Sequence, residues 1–226
     1  MKKTIVYIDG YNLYYSLLRR TPYKWLDVVA LFQSIIKAQD STADVIQIKY
    51  FTAPALAKFA SHGKDSVSAQ NEYHRALKAK YGELIEIVSG YHTATQANLM
   101  SYIEPPQTES RHKVWLIEEK QTDVNIALTI YRDIAKNNVD QVVVCTNDSD
   151  MVPALQSIVE DFSECVIGLV VPIPEPKNDV HRYPNAELKK LAHWTRHYIR
   201  CDELNIAQLP NTVPTRKKAA RRPAHW

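Results

Sequence analysis

The sequence predicts an α/β fold in which a central, mainly parallel sheet carries helices on both faces. Three observations lead there. Short apolar, β-branched runs alternate along the chain with stretches of helical periodicity, the pattern of successive strand–helix–strand units. Two of those runs read as buried strands, residues 4–9 (Thr-Ile-Val-Tyr-Ile-Asp) and residues 141–146 (Gln-Val-Val-Val-Cys-Thr). Both lead directly into aspartate: Asp9 closes the first, and Asp148 and Asp150 follow the second. In parallel sheets of this kind ligands bind beyond the carboxyl ends of the strands, where strand order reverses.

The elements follow in order. Residues 4–9 form the first strand, and the turn and helix after it run from Gly10 to about residue 20. Leu26, Val29, Ala30, Phe32 and Ile36 recur at helical spacing and predict a helix over 25–37. Residues 44–52 are rich in β-formers and partly alternate, which predicts a strand. Residues 53–65 read as loop, and 66–81 as a helix stopped by Gly82. A strand over 83–89 precedes a weakly patterned stretch, 90–113, whose Pro105-Pro106 marks a loop or hairpin excursion. A short strand at 114–118, a helix over 122–136, the strand at 141–146, a helix over about 151–161 and a strand over 165–171 complete the alternation. Prolines 172, 174, 176 and 184 break the next segment, and a helix is predicted over 186–195.

A chain of 226 residues suits one sizeable domain with a short appendage, here a domain over 1–200 and an extension over 201–226. No apolar run approaches the ~20 residues that cross a bilayer, so no membrane partner is expected. Lys2 and Lys3 precede only a few apolar residues before Asp9, which is no secretory leader. Cys145, Cys165 and Cys201 are odd in number and lack CxxC spacing, so neither a disulfide framework nor a zinc ribbon is indicated. A cytoplasmic setting follows as the expectation. Five of the 28 Lys/Arg fall in residues 216–226, which hold no acid, leaving 23 basic against 25 acidic residues elsewhere. The net charge of +3 therefore belongs to the tail. A basic tail suits nucleic-acid contact, and equally reads as a disordered, solubilising end.

The acids carry the chemistry. Asp9, Asp148 and Asp150 each stand where a helix-capping aspartate would, and Asp123 sits in a first helical turn that favours negative charge. Together they exceed what capping requires, since Asp148 and Asp150 serve one helix start. Four carboxylates meeting at one sheet edge repel one another unless a hard divalent cation offsets them.

Ile8-Asp9-Gly10-Tyr11-Asn12 resembles the "DGxN" opening of NYN domains, a branch of the PIN-like ribonucleases. Lys120-Gln121-Thr122-Asp123 is similar to their internal "KxxD" element, and Thr146-Asn147-Asp148-Ser149-Asp150 to their "S/T-x-D-x-D" element. The three occur in the family's order across about residues 1–171. The resemblance implies a PIN-like Rossmannoid three-layer α/β/α fold with strand order 3-2-1-4-5, strands one and four being neighbours. It also implies a Mg2+- or Mn2+-dependent endoribonuclease acting on RNA, with a single strand as the expected partner and Asp9, Asp123, Asp148 and Asp150 as catalytic and metal-binding acids. Around them Asn12, Lys120, Thr146 and Ser149 are the candidate substrate-binding residues. A homodimer is possible through the 90–113 excursion or the C-terminal segment.

Other readings fare less well. His193 and His197 stand at i, i+4 but lack HExxH and a third ligand, and read as surface or packing residues. His181-Arg182-Tyr183 lies in the Pro-rich crossing, within reach of the site mouth or simply structural. Tyr11, Tyr14 and Tyr15 have core-face spacing; two are assigned to the core, and Tyr11 is left open as a base-stacking residue. Arg19, Arg20 and Lys24 read as a solvated face or a phosphate track. Neither GxGxxG, GxxxxGK[ST] nor GxSxG occurs, and no residue pattern supports hydride or oxygen chemistry. Three functions therefore stand: the ribonuclease, a non-catalytic nucleic-acid-binding or regulatory module, and a metal-dependent phosphatase or nucleotide hydrolase.

Overall fold

The computed structural model describes residues 1–137, 139–176 and 182–226. Its frame is a six-stranded sheet built from β1 (Lys2–Asp9), β2 (Ala43–Thr52), β3 (Ile85–Ser89), β6 (Gln141–Cys145), β7 (Val166–Val170) and β8 (Trp194–Arg196), ordered β3-β2-β1-β6-β7-β8. Every pairing is parallel. Between β3 and β6 the chain leaves the sheet as a hairpin of β4 (Tyr91–Met100) and β5 (Arg111–Lys120), paired from Tyr91↔Lys120 to Met100↔Arg111. With that hairpin set aside the order is the expected 3-2-1-4-5, extended by a sixth strand.

The central strands are buried on both faces, β6 along its whole length and β1 from Thr4 onward, which explains their unbroken apolar character. Alternate residues feed two cores. Val6, Ile8, Ile48, Val143 and Cys145 face α2 (Val28–Gln39) and α3 (Lys64–Tyr81). Ile5, Tyr7, Val142, Val144 and Leu169 face α4 (Thr122–Asn137), α5 (Val152–Asp161) and α6 (Ala186–Leu191). Helices thus cover both sides of the sheet, and Cys145 and Cys165 are small buried members of its packing.

Several boundaries differ from the sequence reading for local reasons. The first helix is one turn, α1 (Gly10–Leu13), continued by a wider π-helical turn at Tyr14–Leu18 and stopped before Arg20, whose φ is +64°. Asp27 starts α2 later than expected because its carboxylate caps Ala30 N, leaving Trp25 and Leu26 extended and fully buried. The helix expected over 186–195 ends at Leu191, and Trp194 instead opens β8. His193 consequently lies in the bend before β8, its Nδ1 accepting from Ile167 N of β7, and shares no helix face with His197. His181 lies outside the described residues. No helix among the described residues is long and apolar enough to cross a membrane.

The C-terminal residues are not loose. Beyond β8 come α7 (Cys201–Ile206), β9 (Thr212–Val213) and β10 (Ala220–Arg221), the last two paired antiparallel. Leu209 N donates to Trp25 O at 3.0 Å, and Trp25 Nε1 donates to Pro210 O at 2.9 Å. The Trp226 ring lies 6.2 Å from Trp25 and 5.7 Å from Tyr73. The basic tail therefore packs over α2 and α3, and the reading as a disordered end does not hold.

Candidate functional site

Parallel pairing of β1 with β6, from Thr4↔Gln141 to Ile8↔Cys145, brings the two acid-tipped strands side by side. Their carboxyl ends are tied directly. The Asp9 carboxylate accepts from Asn12 N at 2.9 Å and from Thr146 Oγ1 at 3.1 Å. Thr146 Oγ1 in turn accepts from Asp148 N, and Asp148 Oδ1 from Asp150 N, each at 3.1 Å. Asn12 Oδ1 accepts from Asn147 N at 3.2 Å. One network thus runs across the strand ends, and Asp9 and Asp148 both cap the turns that follow their strands.

Gly10 allows this closeness. A Cβ there would stand 2.6 Å from both Phe51 O and the Tyr50 ring, so only glycine lets the chain turn from β1 against the end of β2. Gly90 plays the same part at the hairpin base, where a Cβ would meet Lys120 O and Thr122 Oγ1 at 2.7 Å. That approach seats the last residues of β5 and the first turn of α4 beside the strand ends, and with them Asp123.

The acids feel one another. Asp9 is 4% exposed. Burial, with lesser pushes from Asp123 and Glu119, raises its carboxyl to about 7 against the opposing bonds from Asn12 and Thr146. Asp123, half-buried, is raised by burial and then by the charges of Asp148, Glu119 and Asp150. Glu119 is the member that sequence reading missed; its only signal was its position in the strand that leads into Asp123. Its carboxylate accepts a short hydrogen bond from Thr122.

The remaining candidates are more peripheral. Lys120 pairs with Glu118 at 2.9 Å and is substantially exposed. Asp150 and Ser149 are exposed, and Thr146 is fully buried, so its hydroxyl serves Asp9 and Asp148 from within the network. Tyr14 is partly buried, but Tyr11 and Tyr15 are 39% and 44% exposed; Tyr15 is therefore no core residue. The Tyr11 and Tyr15 rings lie 4.3 Å apart, Arg19 sits 5.1 Å over Tyr15, and His92 lies 5.9 Å from Tyr11. An aromatic shelf borders the acids.

As donors, the acids match a hard divalent cation, offering carboxylate oxygen alone. Among the described residues, however, no three His, Cys, Asp or Glu side chains stand at ligand spacing. The acids sense each other's charge without forming a closed shell.

The NYN domain matches residues 3–180, a span that contains all four aspartates. The 6-hydroxy-3-succinoylpyridine 3-monooxygenase HspA of Pseudomonas putida is 38% identical over 242 residues, covering 99% of this chain and 75% of that protein. A crystal structure of a protein of unknown function from Vibrio parahaemolyticus is 18% identical, with a TM-score of 0.49 and coverage of 90% of this chain and 94% of the other. The chain belongs to the NYN domain family.

Proposed function

We propose that the protein is a metal-dependent endoribonuclease that hydrolyses phosphodiesters of single-stranded RNA at the carboxyl ends of β1 and β6. The observation that carries this reading is the gathering of Asp9, Asp123, Glu119, Asp148 and Asp150 at the strand ends, where burial raises the Asp9 and Asp123 carboxyls and the neighbouring acids raise them further. Lys120, the lysine beside them in sequence, is paired with Glu118. Such a cluster gains most from a divalent cation.

Asp9 and Asp148 would hold Mg2+ or Mn2+ from the strand ends, with Asp123 and Asp150 completing the ligands directly or through water. The ion when bound supplies Lewis acidity and charge neutralisation. The chain's own residues supply the rest. The Thr146 hydroxyl and the Asn12 amide fix the orientation of Asp9 and of the 147–150 turn. Lys120, Ser149 and the Asn12 side chain would take phosphate oxygens. Tyr11 and Tyr15 offer faces for unstacked bases, which favours a single strand. In the reaction a water oxygen bonds to phosphorus, the bond from phosphorus to the leaving ribose oxygen breaks, and that oxygen takes a proton. A carboxylate of the cluster receives the proton lost by the water.

The test is cleavage of single-stranded RNA by purified protein with Mn2+ or Mg2+. Wild type is expected to cleave and Asp148→Asn to lose at least about a thousandfold, on the scale of removing a group that stabilises transition-state charge. Equal cleavage by the variant, or none by wild type on varied RNAs, defeats the reading.

A second reading rests on the relative named as a monooxygenase: hydroxylation of a pyridine ring, which consumes dioxygen and two electrons from an external reductant. Substrate-dependent oxygen uptake with 6-hydroxy-3-succinoylpyridine would favour it. The phosphatase and the non-catalytic binding module remain as outcomes of the same assays.

A further inference from the structure

At the opposite end of the sheet's edge, the tail builds a second feature. A cleft of about 1160 Å³ lies between β3, the last turns of α3 and residues 214–217. Arg75, Lys78, Arg216 and Lys217 line it, against Glu83 and Glu86. Part of this charge is already matched: Arg75 holds Glu72 at 2.6 Å, and Glu86 lies 3.5 Å from Lys49. Lys78, Arg216 and Lys217 have no ion pair or side-chain hydrogen bond among the described residues. Lys78 also meets the negative end of α3, which favours a cation by itself; Arg216 and Lys217 come from a separate segment and have no such reason to be there.

That segment is pinned on both sides. Arg75 Nη1 donates to Lys218 O at 2.7 Å, and Thr215 Oγ1 to the same carbonyl at 2.8 Å. Arg221 N donates to Glu72 Oε2 at 3.2 Å, and Arg222 Nη2 to Pro22 O at 2.6 Å. Three exposed cations thereby line one cavity, where a polyanion that neutralises them together releases its own counterions. The cleft exceeds the ~300–1,000 Å³ of small-molecule pockets, and its cations sit on long side chains rather than a backbone cradle. Both features suit an extended polyanion better than a single phosphate.

We propose that this cleft binds the phosphodiester backbone of single-stranded RNA, at a site separate from the acids. The first β2–β3 pair, Ile48↔Ile85, borders it, whereas Asp9 stands level with Phe51↔Val88 near the other end. Three residues of strand separate the two levels, about 10 Å. Only its tail side, with Arg216 and Lys217, lies beyond the residues matched by the NYN domain.

The test is binding of a fluorescent oligouridylate in EDTA, with salt titration. Lys78→Gln, Arg216→Gln and Lys217→Gln combined are expected to weaken Kd at least about tenfold and to reduce the log–log salt slope by about 2, since each single-strand phosphate contact contributes about 0.7. Glu83→Gln is expected to tighten binding. Unchanged affinity and slope in the triple variant would overturn the proposal. So would displacement of the oligomer by inorganic phosphate at equal phosphate concentration, which marks a small-anion pocket instead. Tight, slope-dependent binding with no cleavage under any metal would leave this site standing and count only against the ribonuclease reading.

Discussion

The two charged regions of this molecule are made in opposite ways. The acidic cluster stands on strand ends: Asp9 closes β1, Asp148 follows β6, and the hydrogen bonds among Asp9, Thr146, Asp148 and Asp150 bind them into the core's upper rim. The basic cleft is laid on from outside by a tail that packs over α3. Charge at the rim centres on the buried Asp9, so it must act on stability as well as on chemistry. Charge at the cleft is solvated, so it must act on binding alone. Substitutions at the two places should separate along that line.

The largest effect on stability is expected at the rim's backbone rather than its charges. Gly10→Ala places a methyl 2.6 Å from Phe51 O and the Tyr50 ring, both part of the packed strand end. Neither is the tip of a flexible side chain, so the turn itself must shift. A loss of about 2–3 kcal/mol in denaturant unfolding is expected, on the scale of overpacking, together with loss of cleavage as Asp9 moves away from Thr146. A stable, active Gly10→Ala protein would show that the rim is not rigidly built.

Next comes the charge of Asp9. Its folded carboxyl titrates near 7, above its ordinary 3.8, so the folded state holds a proton that the unfolded chain releases. Stability therefore falls as pH rises from about 4 to about 7 and stays low above that. Each unit of difference is worth about 1.4 kcal/mol, which sets a ceiling of about 4 kcal/mol. Asp9→Asn keeps an oxygen to accept from Asn12 N, and is expected to raise stability by about 2 kcal/mol near pH 8 and by almost nothing near pH 4. The same variant should lose cleavage. Mg2+ or Mn2+, which stabilises whatever folded site it binds, should raise the thermal midpoint of wild type more than that of Asp9→Asn. An Asp9→Asn protein no more stable than wild type at high pH would mean that the cluster is not strained.

How much of this was legible beforehand follows from the same contrast. The rim could be read because each acid ends an element whose periodicity is strong: unbroken apolar strands before Asp9 and Asp148, and a regular helix after Asp123. Strand neighbours could be inferred only through resemblance, because pairing of β1 with β6 joins residues 137 apart in sequence and no local pattern encodes it. Glu119 was hidden for that reason: its partners are across space, and its own strand belongs to a hairpin with both faces largely exposed and hence no clean alternation. Trp194 misled the helix reading, since its spacing from Leu188 and Leu191 is helical while its ring packs on Gly168 of the neighbouring strand. The tail's composition gave its charge but not its place, which Trp226 fixes by burying against Trp25 and Tyr73.

The smallest expected effect falls on Lys120, which lies at the rim but is built like the cleft. Its ammonium is paired with Glu118 while both side chains remain more than 40% exposed, so the pair is screened and Lys120→Ala should change stability by no more than about 0.5 kcal/mol. If Lys120 takes a phosphate oxygen of the RNA, the substitution removes binding shared by the ground and transition states. KM should then rise about fivefold, about 1 kcal/mol, with kcat unchanged. Because Glu118 competes for the same ammonium, Glu118→Gln should lower KM in the opposite direction. Steady-state cleavage of a short RNA by the three proteins measures both. A KM unmoved in either variant would assign Lys120 to the solvated surface and leave the acidic rim to work without a fixed cation of its own.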